Sequence, residues 1–262
     1  MTEKEKKVIE LYKSGFSHRQ VAEKIGISRS GTYYILKKYN IDTNRSNDFY
    51  DKRTYKMDDN YFNKIDDEHK AYWLGFLYAD GYNHEERGVV SLTLQSQDLH
   101  ILEQFKKDIQ YDGNFVIDRG YVRLSLNSQQ VSRDLAQHGC THRKTFTLTY
   151  PDFLPKNLHS HFIRGYFDGD GSIWYDKQSK SYRIQVIGTE SVLKGIVQHL
   201  DIHLNRLIPV VSNEYTYRLN YSGNYNVSNI MSRIYKDSTV HLERKHKRYE
   251  NMVNMMKHRV AL

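Results

Sequence analysis

The chain is short of several things. It has one cysteine, Cys140, among 262 residues. One thiol makes neither an intrachain disulfide nor a cysteine-based zinc site, and it suits a reducing compartment. With only three prolines, ordered structure is a simpler reading than a proline-rich disordered tail. No apolar run approaches the length of a membrane span. The opening MTEKEKKVIELYKSG is charged and amphipathic, unlike a secretory leader. These absences lead us to expect a soluble cytoplasmic protein with no signal or transit peptide and no membrane partner. Acid is in deficit as well: 31 Asp and Glu face 39 Lys and Arg, a formal net charge of +8. Such a surplus favours a polyanionic partner, most often nucleic acid, although a basic surface that binds nothing has the same composition.

What is present begins with three short helical patterns over residues 3 to 40. Val8, Ile9, Leu11 and Tyr12 fall at helical spacing, and Ser14-Gly15 stops the run. Ser17 is placed to cap a second helix carrying Val21, Ala22 and Ile25, and Gly26 supplies a turn. Ser28 then caps a third helix, with Tyr33, Ile35 and Leu36 as inward residues. SHRQVAEKIGISRSGTYYILKKY resembles the helix-turn-helix of many bacterial and phage DNA-binding proteins. The resemblance implies that Ser28, Arg29, Ser30 and Thr32 face the major groove. A plain three-helix packing module would share much of this pattern. Residues 42 to 65 are polar, charged and aperiodic, and read as a linker.

Beyond the linker the chain repeats itself. WLGFLYADG (73–81) aligns with IRGYFDGDG (163–171), placing Asp80 over Asp170 at an offset of 90 residues, a domain-sized period. Strand-like runs and two helical runs follow each copy. In the first half the strands are GVVSLTL, NFVI and YVRLSL, with a hairpin turn at Asp118-Arg119-Gly120. In the second they are SIWY, YRIQVI, IPVV and TYRLNY. Both halves then reach a basic pair, Arg143-Lys144 and Arg244-Lys245.

Within each motif, Gly75 and Ala79, and likewise Gly165 and Gly169, lie four apart on one helix face. Small residues at that spacing let two helices approach closely. If the faces meet, Asp80 and Asp170 become neighbours at two helix C-termini, with Gly81 and Gly171 as left-handed caps. The arrangement is unfavourable alone, because helix C-termini are electronegative and close carboxylates repel. A hard divalent cation offsets both effects, and with phosphate present it favours hydrolysis. A single helix ending in Asp-Gly is usually structural; two matched copies are far more specific.

On these two motifs, residues 66 to 250 resemble the LAGLIDADG homing endonucleases. The resemblance implies an α+β fold in which two pseudo-symmetric αββαββα halves form a DNA-binding saddle. It implies cleavage of both strands with Mg²⁺ or another divalent cation such as Mn²⁺, and a long, near-unique duplex target bound by a monomer. Asp80 and Asp170 take the place of the metal-binding acids, and Lys144 and Lys245 that of the basic residues beside each cleavage centre. Asp168 matches a second acid of the motif, but Tyr78 stands there in the first copy, so the position reads as structural or peripheral. Gln95, Gln97 and Gln185 are candidates for a polar strand residue completing the pocket. On the strands, Arg123 and Ser125, Arg183 and Gln185, and Arg218 and Asn220 share faces suited to reading bases. The expected domains are thus 1–41, a linker over 42–65, a first half over 66–153 and a second over 154–262. A catalytically inactive DNA-binding regulator or an RNA maturase on the same scaffold remains an alternative. A bacterial or phage setting is expected.

Overall fold

A computed structural model describes every residue except 15, 17, 42, 44–54, 143, 145, 146, 212, 261 and 262, together with the side chains of 258–260 as exceptions. Ser17 as a cap, Gly15 as a stop, Arg143 and half of the expected linker therefore lie outside the described residues. The chain divides into two compact units, Met1–Thr54 and Tyr55–Leu262.

The first unit holds helices α1 (Glu3–Lys13), α2 (His18–Ile25) and α3 (Arg29–Lys38). Thr2 and Glu5 form a capping box at the start of α1. Gly26, at φ 69°, makes the turn between α2 and α3 at no Cβ cost. Ser28 caps α3 by accepting the Gly31 N–H at 2.9 Å. Val8, Tyr12, Val21 and Leu36 form the core. Two expectations need correcting here. Thr32 is fully buried, because it lies four residues before Leu36 on the same inward face, and its hydroxyl is directed at Ser28 O, 3.4 Å away. Tyr33, expected to face inward, is 47% exposed. The outer face of α3 is Arg29, Ser30, Tyr33, Tyr34 and Lys37.

The second unit is α+β. Its first half runs α4 (Glu68–Asp80), β1 (Tyr82–His84), β2 (Val89–Gln95), α5 (Leu99–Asp108), β3 (Val116–Asp118), β4 (Tyr121–Asn127) and α6 (Gln129–Gln137). The second half repeats that order with α7 (His159–Asp170), β5 (Gly171–Asp176), β6 (Ser181–Gly188), α8 (Glu190–His199), β7 (Ile208–Val210), β8 (Asn213–Ser222) and α9 (Asn224–Tyr235). A final helix, α10 (Glu243–Val260), follows. Each half makes a four-stranded antiparallel sheet of the same order, β1-β2-β4-β3 and β5-β6-β8-β7. The β3–β4 turn sets Arg119 and Gly120 at φ 47° and 82°, the two positive values of a tight hairpin.

Alternation decides which sheet face is wet. Val90, Leu92 and Leu94 of β2 face the core, while Ser91, Thr93 and Gln95 turn away from it. In β6, Tyr182, Ile184 and Val186 point inward, and Arg183 and Gln185 lie on the opposite, half-exposed face. One continuous core runs through both halves and includes Tyr61, Phe62 and Ile65. Those three belong to the segment that the sequence places in the linker. They belong to the second unit and its core, where His138 Nε2 lies 2.7 Å from Phe62 O.

Candidate active site

Helices α4 and α7 form the centre of the second unit. Helix α4 is apolar all round, and Ala71 to Tyr78 are buried without a break. The two helices meet through glycines. A Cβ on Gly75 would fall 2.0 Å from Phe162 O and 2.9 Å from Tyr166 N. A Cβ on Gly165 would fall 1.9 Å from Tyr72 O and 2.9 Å from Phe76 N. The contacts are the same pair, repeated 90 residues on, as a twofold relation requires. Further along, a Cβ on Gly169 would fall 2.3 Å from the Ala79 Cβ and 3.4 Å from Asp80 Oδ2. Only glycine at these positions lets the backbones run so close.

The helices thus end side by side. Gly81 and Gly171 follow at once, but not as left-handed caps. Both are extended, at φ −75° and −93°, because each chain turns straight into a strand. Their small size serves packing instead: a Cβ would strike Leu77 O or Phe167 O at 2.5 Å.

Asp80 and Asp170 stand at this paired end. Burial, and then the Asp80 charge, push the Asp170 carboxyl up to about 6. Asp80 is exposed by surface area, yet enough protein surrounds it that desolvation holds its carboxyl above the ordinary range, against the pull of Lys245, Lys144 and Arg244. Two acids disfavoured as anions, one through the other, are a donor set that a hard cation suits. Among the described residues, no group of three or more His, Cys, Asp or Glu side chains is arranged to hold a metal. A cation here would therefore use these two carboxylates and draw its remaining oxygens from main chain, water or phosphate.

The two lysines occupy matching places. Lys144 Nζ donates to Gly81 O. Lys245 Nζ donates to Gly171 O, to Phe167 O and Asp168 O at 2.7 Å each, and to Gly169 O at 3.3 Å. Each ammonium thus sits on carbonyls at the electronegative end of a motif helix. Their surroundings differ. Lys245 is 3% exposed, and burial lowers it to about 8, while Lys144 is half-buried. Lys144 and Asp170, from opposite halves, line one cleft of about 220 Å³ with Tyr166, Thr189 and Thr216. Asp80 feels Lys245 as the strongest of its cations, and Asp170 feels Lys144. Both acids thus lie in the field of both lysines, and Asp170 shares its cleft with the lysine of the other half.

The motif names Asp168 and the basic pair names Arg244, but not what these residues bind. Asp168 is fully buried, accepting from Leu242 N at 2.7 Å and Tyr72 OH at 2.9 Å, and burial raises it to about 6. It pins the segment before α10, and so the helix that carries Lys245. Tyr78, its counterpart, donates to His138 O in the first half. Both positions tie a motif helix to the chain after the last helix of a half, one with a hydroxyl and one with a carboxylate. Arg244 Nε bonds both oxygens of buried Asp98 at 3.1 Å. Tyr166, four residues before Asp170, donates to Ile187 O at 3.0 Å. Its spacing from Asp170 was the available signal.

Away from the centre, the polar sheet faces hold the expected residues. Arg123 is exposed and bonds Thr93 Oγ1 at 3.1 Å, with Ser125 half-buried beside it. Arg183 pairs with Asp176 at 2.7 Å, and Gln185 Nε2 donates to Asn220 Oδ1 at 2.8 Å. Arg183, Gln185, Asn220 and Trp174 line a second cleft of about 300 Å³. Arg218 is exposed. Gln97 Nε2 donates to Gln95 Oε1 at 2.7 Å, beyond the end of β2. In the first unit Arg29 and Ser30 are exposed.

No family model matches the sequence, and no curated protein matches it. Solved structures with a similar fold exist at low identity. The I-LtrWI LAGLIDADG homing endonuclease bound to target DNA is 14% identical, with a TM-score of 0.49 over 76% of this chain and 91% of its own. Meganuclease I-SmaMI bound to uncleavable DNA is 11% identical, with a TM-score of 0.48 over 70% of this chain and 89% of its own. I-SmaMI on an uncleaved DNA target with calcium ions gives 10%, 0.48, 72% and 92% for the same measures.

Proposed function

We propose that the chain is a site-specific endonuclease of double-stranded DNA, acting as a monomer with Mg²⁺ and hydrolysing one phosphodiester in each strand. The observation that carries this reading is the pairing of Asp80 with Asp170 across a glycine-lined helix crossing, each carboxyl raised and both in the field of Lys144 and Lys245. A purely structural crossing has no need of two acids that burial disfavours as anions, one of them raised further by the charge of the other. Asp80 and Asp170 would hold the cation, which when bound supplies charge for the phosphate and activates water. Lys144 adds positive charge where negative charge grows on phosphate. The polar sheet faces bear Arg, Gln and Asn, the side chains suited to base edges in a major groove. The +8 net charge favours the phosphate backbone. The N-terminal helices add affinity through Arg29 and Ser30, provided the linker spans both sites.

A plasmid carrying the DNA that flanks the gene, joined without the gene, tests this. Incubation with and without Mg²⁺ should give one metal-dependent double-strand cut. Binding without a cut would leave a DNA-binding regulator, and binding to the transcript alone would leave a maturase.

A further inference from the structure

The two halves also meet where α4 begins, at the opposite end of that helix from Asp80. His69, in the first turn of α4, has a partner at each ring nitrogen. Nδ1 lies 2.6 Å from Asp108 Oδ2, at the end of α5, and Nε2 lies 3.1 Å from Thr239 Oγ1, in the segment between α9 and α10. The Thr239 hydroxyl donates to Glu68 Oε2 at 2.8 Å, and the Thr239 N–H to Glu68 Oε1 at 2.7 Å. Counting protons fixes the state of the ring. A carboxylate brings none, so Nδ1 must carry one. A hydroxyl has one, and Thr239 gives it to Glu68, so Nε2 must carry another. The geometry calls for an imidazolium, and the Asp108 bond holds His69 above the ordinary histidine range against its burial. Glu68 and Asp67 add negative charge beside it. The neighbouring ring is His161 of α7, which burial and then the Arg164 charge lower, so His69 is the group that titrates here.

Thr239 also begins the strap that leads to Lys245. Arg164, fully buried in α7, donates to Glu68 Oε1 at 2.6 Å and to Val240 O at 2.8 Å. Leu242 N donates to Asp168 Oδ2 at 2.7 Å, and Lys245 N donates to Leu242 O at 3.0 Å. One carboxylate of the first half, Glu68, therefore holds both Thr239 and the arginine that anchors the next residue.

We propose that His69 and Thr239 are positioning residues for Lys245: protonated His69 latches the 239–245 strap of the second half onto the first, and loss of that proton loosens it. When the ring gives up its Nε2 proton, Nδ1–H stays with Asp108. The Nε2 lone pair then faces the Thr239 oxygen with no proton between them. The latch is thus closed below the pKa of His69 and weakens as pH rises through it. Its effect on cleavage rests on the endonuclease reading above; the latch itself does not.

Hydrogen–deuterium exchange of the full chain in EDTA, at pH 6 and pH 8.5 and corrected for the intrinsic rate at each pH, tests the latch. At pH 6, His69→Gln should make residues 236–245 exchange about threefold or more faster than wild type, through loss of a charged hydrogen bond. At pH 8.5 the gap should close. Thr239→Ser keeps the hydroxyl and should keep the wild-type response to pH, and Thr239→Val should lose it. On the joined-flank plasmid with Mg²⁺, the ratio of kcat for His69→Gln to that for wild type should be lowest at pH 6 and approach one at pH 8.5, with KM unchanged. Taking the ratio cancels the pH dependence that both chains share. A wild-type strap that exchanges equally at both pH values, or a Thr239→Val chain that keeps the response, overturns the latch and leaves the endonuclease standing. The exchange pattern without the kcat pattern overturns the positioning of Lys245. The exchange pattern with no cleavage by any chain upholds the latch and overturns the endonuclease reading.

Discussion

Gly75 and Gly165 are twofold images of each other across the α4–α7 crossing, each with no room for a Cβ against the other helix's backbone. The obstructing atoms are carbonyls and amides, which cannot rotate aside as a side chain can. Gly75→Ala or Gly165→Ala must therefore push the helices apart. Each should cost about 3 kcal/mol, the upper end for overpacking, measured as a shift in urea midpoint. Cleavage should fall further than stability accounts for, because separation also parts Asp80 from Asp170. An alanine variant within error of the wild type would show that the crossing is loose.

Ionisation of Asp170 works against the fold. Its carboxyl is raised from 3.8 to about 6, so the stability tied to its protonated form is complete below 3.8 and is lost as pH rises through about 6. Asp168 is raised over the same window, so the wild-type profile in EDTA sums both groups. The difference between wild type and Asp170→Asn isolates the one. At pH 7.5 in EDTA the variant should be more stable by roughly 1–3 kcal/mol, and near pH 4 the two should converge. Mg²⁺ should raise the wild-type melting temperature more at pH 7.5 than at pH 5, and should not raise that of the variant. A variant less stable than wild type at pH 7.5 would mean that the Asp170 charge already has a partner in the fold.

The repeat could be read before any coordinates because its evidence is local. Gly75 and Gly165 and the Asp-Gly endings recur at one spacing, and the long alternating strands carry their own period. What was missed depends on distance or phase. Strand β1 has three residues, too few to show alternation. Counting Tyr33 as apolar gives α3 the wrong phase, since Thr32 takes the inward place and Tyr33 the outward one. Gly81 and Gly171 look like helix caps by position, yet they enter strands at negative φ. The pairing of Asp170 with Lys144 across halves has no trace in sequence. By repeat position Lys144 closes the first half, and only the side-by-side helix ends set it on one cleft with the acid of the second. The same holds for Arg164, fully buried and bound to Glu68 at 2.6 Å from the other half.

The two lysines should separate in stability. Lys245→Met removes the partner of several buried carbonyls and uncovers the charge of Asp168 beneath them. Breaking such a buried set costs about 3–5 kcal/mol, and the melting temperature should drop accordingly. Lys144→Met, at a half-buried site, should cost about 1 kcal/mol or less. Paired thermal melts in EDTA decide it. Equal losses would mean that the two ammonium groups are equally buried in solution.

In the first unit, neighbouring residues on α3 should behave in opposite ways. Arg29 is exposed, and Thr32 is fully buried with its hydroxyl near Ser28 O. Arg29→Ala should weaken binding to duplex DNA and, if its partner is phosphate, lower the slope of log affinity against log salt by about 1. The melting temperature of the variant should stay close to wild type, since an exposed side chain is all that is lost. Thr32→Val keeps the shape and removes one hydrogen bond, so it should cost about 1 kcal/mol of stability and leave the salt slope unchanged. Fluorescence anisotropy of a labelled duplex from the flanking locus, across a salt series in EDTA, reads affinity without cleavage. A Thr32→Val variant with a reduced slope would place Thr32 on the DNA after all and refute the packing of α3 described above.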